Sequence, residues 1–372
     1  MTKGFLFGKL YKAGYCEKKT RASERIMEKT FRLKKGEALL LTDERERRYF
    51  TGFESSFGYV LLTSAGKYFY TDKRYLSAAK DALVKAGWVT EEYRGLAEIG
   101  ARIAESGAKN LLIDYGVTTM KEYAEMKKLR LPFKDAEKRL TGLFAVKDKD
   151  EIAKIGKACE IAERAFYRVL ESVREGISEK ELANELEARM HEYGAEKTSF
   201  ETIVAFGENS AVPHHKTGEK RLRRNMPVLM DFGCVYDGYC SDMTRTFYYG
   251  EPEEEFVDAY AAVLEANLTA EEKIRTGMDC AAADRIARDK LEECGYGKAF
   301  THSLGHGIGT AIHEYPTIGP RGTGKLKSGM VFSVEPGVYF EGKYGIRIED
   351  TVVLKGGVKR LMKDEKNLIL ID

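Results

Sequence analysis

The chain has 372 residues, 43% hydrophobic and 32% charged, with a formal net charge of only +2. That length supports a large core and favours two domains, and the composition is that of a folded protein rather than a disordered one. Charges of both signs are interleaved, so no long-range field selects nucleic acid. Short basic runs such as Arg221-Leu-Arg-Arg224 read as solvated loop. No apolar stretch approaches the roughly 20 residues that span a bilayer. The opening residues carry lysines inside any apolar run and no convincing cleavage site. Six cysteines without a Cys-x-x-Cys pair suggest reduced thiols, so a cytoplasmic protein is expected.

The first twenty or so residues are not placed by any pattern. Beyond them, residues 38–42, 59–63 and 68–71 read as strands, residues 75–86 as a helix and residues 110–114 as another buried strand. Alternating strands and helices imply an α/β domain over residues 1–145, with no chemical motif of its own. A boundary falls near Lys147-Asp-Lys-Asp150, and residues 146–372 are expected to form the second domain. There Ile152, Ile155, Cys159, Ala162, Phe166, Val169 and Val173 make the apolar stripe of a long helix ended by Gly176. Ser178 and Glu181 form a capping box for the next helix, which buries Leu182, Leu186 and Met190 and ends at Gly194.

The same punctuation returns about 100 residues later. A helix over residues 253–275 meets Gly277, Asp279 is placed to cap the next helix, and Gly295 closes it. Two helix–helix–strand halves suggest an internally duplicated α+β domain with a site between them.

The last third concentrates acids in hairpins. Asp237-Gly238 is a strong two-residue turn signal between the strands that carry Asp231 and Asp242. That turn sets Asp231 opposite Thr244, with both aspartates on one face and Cα atoms roughly 7–8 Å apart. A register symmetric about Gly342 sets Glu335 opposite Glu349, with Arg347 on the same face, though a bulge in the turn would shift it by one. His306 stands between Gly305 and Gly307, where the backbone permits close approach to a ligand. Four carboxylates and an imidazole brought together would be very costly unless divalent cations neutralised them. The bland alternative is ordinary surface acid, but acidic residues are depleted in apolar strands and both pairs share a face. Cys234 and Cys240 read as small buried strand residues, and His191 and His302 as structural or surface histidines.

Asp231-Phe-Gly, Ser241-Asp242-Met-Thr-Arg-Thr, Gly305-His306-Gly, Val334-Glu335-Pro-Gly and Arg347-Ile-Glu349-Asp together resemble the metallopeptidase family of aminopeptidase P and prolidase, the Xaa-Pro peptidases of the pita-bread fold. Arg47-Arg-Tyr-Phe-Thr-Gly-Phe53 resembles a landmark of that family's creatinase-like N-terminal domain. The resemblance implies a pita-bread catalytic domain and a dinuclear centre, manganese first and cobalt second. Asp231 would chelate one metal, Asp242 and Glu349 would bridge both, and His306 and Glu335 would complete the site. It also implies that His214 and His313 contact substrate, that Arg347 is an active-site residue, that Glu335 shuttles a proton, and that the protein is a homodimer acting on proline-containing peptides. An oxygen-rich ligand set suits such hard ions.

Some dipeptidases of the family carry a basic residue just after the His-Glu-x-Pro sequence. Here that position is Thr317, with Arg321 four residues on, so aminopeptidase P and prolidase specificity both stay open. His215 is ambiguous, since only one of the adjacent pair turns inward along a strand. Asp231-Phe-Gly copies a kinase signature without the rest of the kinase set, and Gly305-His-Gly-Ile-Gly309 has the wrong spacing for a phosphate loop. The rival from another class is a non-catalytic pita-bread binding or scaffold protein, disfavoured because all five ligand residues are kept.

Overall fold

The computed structural model describes residues 31–372, so the unplaced opening residues lie outside the described residues. Two compact units divide between Leu140 and Thr141.

The first unit holds a mixed six-stranded sheet. Its strands are β1 (Glu37–Leu41), β2 (Tyr59–Thr63), β3 (Gly66–Thr71), β4 (Trp88–Glu92), β5 (Asn110–Ile113) and β6 (Phe133–Asp135), in the order β4-β3-β2-β1-β5-β6. β2 falls on the residues expected, and β1, β3 and β5 differ only at their ends. The expected helix runs over Lys73–Leu83 and tightens into a 3-10 turn at Val84–Ala86. Leu40, Leu61, Tyr70, Leu111 and Ile113 form the core with Ile99 and Ile103 of the helix Leu96–Glu105.

The Arg47-Arg-Tyr-Phe-Thr-Gly-Phe53 landmark is a helix end. Glu44–Thr51 is capped by Asp43 and closed by Gly52 at φ 69°, a left-handed turn that glycine adopts without a Cβ clash. Buried Arg47 ties that turn down by donating to the carbonyls of Thr42 and of Ser55, the latter at 2.6 Å. Its neighbour Glu46 is buried, and its Oε1 has no hydrogen-bond partner. Burial, and then the Asp114 carboxylate beside it, push Glu46 up to about 9.

The second unit is built from two similar halves. The helices Lys149–Val169 and Glu179–Glu192 begin the first; Glu254–Lys273 and Cys280–Glu293 begin the second. The first helix is shorter than its stripe suggests, because a 3-10 turn at Leu170–Ser172 follows and Val173 adopts an extended conformation, yet Val173 stays buried. The Ser178–Glu181 capping box forms. Asp279 takes the equivalent position without capping, since its carboxylate pairs with Lys325 Nζ at 3.1 Å instead.

The first half adds β7 (Lys197–Thr198), β8 (Ile203–Phe206), β9 (Met226–Phe232), β10 (Cys234–Tyr236), β11 (Tyr239–Cys240) and β12 (Met243–Tyr249). The second adds β13 (Gly305–Gly307), β14 (Glu314–Ile318), β15 (Val331–Val334), β16 (Gly337–Phe340), β17 (Tyr344–Arg347), β18 (Asp350–Lys355), β19 (Gly357–Arg360) and β20 (Leu370–Ile371). One sheet runs β20-β12-β9-β8 and another β14-β13-β15-β18-β19. They are joined where Thr244 bridges Glu349, the Glu349 amide donating to the Thr244 carbonyl at 3.1 Å. Each half packs its helices on its own sheet, around Phe166, Phe206 and Phe232 in one core and Phe256, Phe332 and Leu291 in the other.

Glu46 yields a stability prediction. A group whose pKa is raised on folding stabilises the fold fully below its unfolded pKa, near the carboxylate value of 4.5, and that stability is lost as pH rises toward about 9. Glu46→Gln keeps a donor toward Asp114 and removes the buried charge. Its melting temperature should therefore exceed that of the wild type at pH 8.5, with the gap closing by pH 5. An equal shift at both pH values would exclude a protonated Glu46.

Candidate metal centre

The site forms where the two sheets meet, and the two hairpins deliver their residues in the registers expected. Asp237 and Gly238 have φ of 47° and 80°, the two positive values of a tight hairpin turn, and Asp231 lies opposite Thr244. Next to Asp242 the strands approach so closely that only glycine fits at position 233, where a Cβ would lie 2.0 Å from the Ser241 carbonyl oxygen. β16 pairs with β17 and β15 with β18 in one continuous register, Val338 with Ile346 and Val334 with Asp350. Glu335 and Glu349 therefore face one another without a shift, in the gap between the two ladders. Gly305 and Gly307 let the strand carrying His306 run close to β15 and β14; a Cβ on Gly305 would meet the Ser333 carbonyl oxygen at 2.0 Å.

These elements bring the five ligand candidates together. Ligand atoms of Asp242, His306 and Glu349 lie within 4.8 Å of one another. His306 Nε2 is 3.4 Å from Asp242 Oδ2 and 3.5 Å from Glu335 Oε1. Ser333 Oγ donates to Glu335 Oε1 at 2.9 Å and accepts from the His306 amide at 3.0 Å. Thr244 Oγ1 donates to Glu349 Oε2 at 2.5 Å. Asp231 takes Arg347 Nη2 on Oδ2 at 2.7 Å, while its buried Oδ1 has no hydrogen-bond partner.

The electrostatics point to a cationic guest. Burial first, then Asp231 and Glu335 against the pull of His306, push Asp242 up to about 7. Burial and neighbouring carboxylates raise Glu349 and Glu335 as well. Burial opposes the protonation of His306, yet Asp242 and Glu335 hold it up at about 9. Carboxylates driven toward neutrality by burial and by each other need a positive partner, and the unpartnered Asp231 Oδ1 offers it a lone pair. Four hard oxygen donors and one imidazole suit divalent ions of the manganese type.

The remaining candidates lie around this cluster. His313 is exposed, with its ring centroid 4.2 Å from that of His306. Desolvation comes first in holding its pKa below the usual range, followed by the charges of His306 and His214. His214 is exposed and His215 turns inward to Glu179, 2.9 Å away, which resolves the adjacent pair. Arg347 was expected as an active-site residue on the face of Glu335 and Glu349. It ends β17 and grips Asp231 of β9 at 2.7 Å. Thr317 lies opposite His306 in the strand pair and is exposed. With His302, Arg288 and Arg321 it lines a cavity of about 450 Å³.

Several supporting residues escape sequence reasoning. Arg347 Nη1 donates to Tyr339 Oη at 2.7 Å, and Tyr339 Oη lies 2.9 Å from His302 Nε2. His302 Nδ1 sits 2.8 Å from the Ser303 carbonyl, so Nδ1 carries the proton and Nε2 accepts from the tyrosine. Burial and then Arg347 lower His302 to about 3, keeping it neutral. His302 is thus structural, but in the service of Arg347. Lys147 pairs with Glu314 at 3.0 Å, beside His313. In the sequence Lys147 marked only the domain boundary. Cys234 and Cys240 are the buried strand residues expected, and burial pushes both thiols up to about 12.

Duplicated halves around a carboxylate–imidazole cluster define a pita-bread metallopeptidase. Residues 153–356 match metallopeptidase family M24 and residues 27–143 the creatinase/prolidase N-terminal domain; the chain belongs to family M24. It is 38% identical over 313 residues to the Xaa-Pro dipeptidase of Pyrococcus furiosus, covering 84% of this chain and 89% of that one. Among solved structures it is similar to an Xaa-Pro dipeptidase from Bacillus anthracis, with a TM-score of 0.86, 37% identity and coverage of 90% and 95%. An X-Pro aminopeptidase from Thermotoga maritima gives a TM-score of 0.86 at 34% identity, with coverage of 94% and 100%. Among the described residues no helix is long and apolar enough to cross a membrane.

Asp242→Asn separates repulsion from ligation. It should raise the melting temperature of metal-free protein at pH 8 by relieving the carboxylate cluster. It should also abolish most of the further rise that Mn²⁺ gives the wild type, since only a bound cation stabilises by mass action. A manganese-dependent rise equal to that of the wild type would remove Asp242 from the ligand set.

Proposed function

We propose that this chain hydrolyses the bond between an N-terminal residue and proline, with two divalent ions, manganese expected, held by Asp231, Asp242, His306, Glu335 and Glu349. The observation that carries this reading is the exposed imidazole of His313 beside the ligand His306, which puts a hydrogen-bond donor at the open side of the carboxylate cluster. Bound divalent ions would supply Lewis acidity and activate water at neutral pH.

The chain's own residues divide the rest of the work. His313 donates to the scissile carbonyl oxygen as it becomes tetrahedral, and oxyanion stabilisation requires a donor at that point. Glu335 accepts a proton from the attacking water and returns it to the leaving prolyl nitrogen, which has no N–H of its own. Ser333 Oγ, bonded to Glu335 Oε1, leaves Oε2 to carry that proton. His214 orients the substrate from the loop that faces His313. Arg347 holds Asp231 rather than substrate, and Tyr339 and neutral His302 hold Arg347.

The names of the similar proteins support an Xaa-Pro substrate and divide on its length, one group called dipeptidase and another aminopeptidase. A non-catalytic scaffold has no use for the complete ligand set and both histidines.

Protein loaded with Mn²⁺ or Co²⁺ should cleave Ala-Pro or Ala-Pro-Ala and spare Ala-Ala-Ala. Cleavage of the dipeptide alone would assign a dipeptidase, and cleavage of the tripeptide an aminopeptidase. No turnover of either proline peptide by fully metallated protein would defeat the reading. His313→Ala should lower kcat roughly 10²- to 10³-fold, the cost of one oxyanion donor, with metal content unchanged.

A further inference from the structure

The loop that carries His214 is held differently from the rest of the site. It leaves β8 at Phe206 and returns past Gly218, and its return leg is strapped to the start of the helix Glu179–Glu192. Leu222 N donates to the Ile177 carbonyl at 2.8 Å and Lys180 N to the Gly218 carbonyl at 3.0 Å. Glu179, the first residue of that helix, is fully buried. Its two carboxylate oxygens take four donors from the loop and its flanks. Oε1 accepts from Phe206 N at 2.9 Å and Asn209 Nδ2 at 2.8 Å; Oε2 accepts from His215 Nε2 at 2.9 Å and Gly218 N at 3.1 Å.

The opposite side of the loop is bound to β17. Gly345 N donates to Ser210 Oγ at 2.8 Å, and a Cβ on Gly345 would meet the Ser210 carbonyl oxygen at 2.1 Å. The loop is therefore clamped between Glu179 and the strand that carries Arg347. With His215 drawn inward to Glu179, the exposed His214 is left facing out. A buried carboxylate with every lone pair engaged fixes one conformation, because any other arrangement leaves a desolvated charge unpaired.

We propose that Glu179 is a positioning residue: through His215, Asn209 and the amides of Phe206 and Gly218 it holds the loop so that His214 meets the substrate. The inference rests on the reading of His214 as a substrate-contacting residue. It involves none of the five ligand residues, so it predicts lost orientation with metal retained.

The test uses the full chain loaded with Mn²⁺, with Glu179→Gln and His215→Ala each made alone and together with His214→Ala. His215 is half-buried and its loss leaves no buried charge unpaired by backbone, so that variant serves if Glu179→Gln does not fold. Each single variant should lower kcat/KM for the better proline peptide roughly 10- to 100-fold, the scale of a small misplacement. Added to His214→Ala, each should cost less than about 2-fold more, since residues acting through one group are not additive. Amide exchange over residues 206–218 should rise and bound manganese should match the wild type.

Additive losses with His214→Ala, or loss of manganese, would overturn the proposal, as would exchange unchanged from the wild type. If wild-type protein cleaves neither peptide, the peptidase reading fails by itself; amide exchange then still judges the anchor, rising if Glu179 holds the loop and unchanged if it does not.

Discussion

Mutual repulsion among buried carboxylates is the constraint around which the second unit is arranged. Asp231, Asp242, Glu335 and Glu349 arrive on or at the ends of separate strands from two halves, and burial and the neighbouring carboxylates press on Asp242, Glu335 and Glu349. Nothing in an apolar core tolerates that set, so the surrounding structure supplies compensation on both sides. On the near side Arg347 takes Asp231, Thr244 takes Glu349 and Ser333 takes Glu335. On the far side, strand alternation turns the next residues away from the cluster. Arg245 follows Thr244 and Asp350 follows Glu349, and they meet at 2.7 Å behind the site.

That rear layer explains why the strands bearing the carboxylates stay in register. Arg245 also pairs with Asp364 at 2.7 Å and donates to the Glu349 carbonyl at 2.6 Å. Lys366 and Arg360 complete the group around Asp350. Burial opposes its ionisation, yet Arg245, Lys366 and Arg360 hold Asp350 well below the usual carboxylate range. A slip of one residue in the first hairpin would exchange the layers, placing Arg245 among the clustered carboxylates and Thr244 among the rear charges. Both layers then lose their partners at once, so the register is set by charge as much as by turn geometry.

The parts of this site legible in the sequence are those governed by local rules. Asp237-Gly238 and Gly342 set hairpin registers, period-two alternation assigned faces, and the two carboxylate pairs followed. The Ser178–Glu181 cap was readable for the same reason. What stayed hidden depends on partners far apart in the chain. Arg347 makes its ion pair with Asp231 of the other half rather than with an acid on its own hairpin, and His302 is tied to Arg347 through Tyr339. The Asp279 cap failed because Lys325 competes for its carboxylate, a contact that helix punctuation alone does not encode.

The duplication shows where specificity was added to a common frame. Both halves strap a loop to the start of their second helix: Gly176 N donates to the Leu222 carbonyl at 2.9 Å, and Gly277 N to the Leu326 carbonyl at 2.8 Å. The bridges Ser178–Arg221 and Asp279–Lys325 repeat the geometry. At the first residue of those helices the halves diverge. Cys280 stands where the other half has Glu179, and Gly322 packs close against it, a Cβ there falling 3.0 Å from that of Cys280. Backbone hydrogen bonds strap both loops, Cys280 N donating to the Gly324 carbonyl at 3.0 Å and Lys180 N to the Gly218 carbonyl at 3.0 Å, but only Glu179 adds four hydrogen bonds to a single carboxylate. The four extra bonds are directional and add orientation to a strap that both halves share. The version with the buried carboxylate occurs in the half whose loop presents His214, which lies in a turn rather than on a strand.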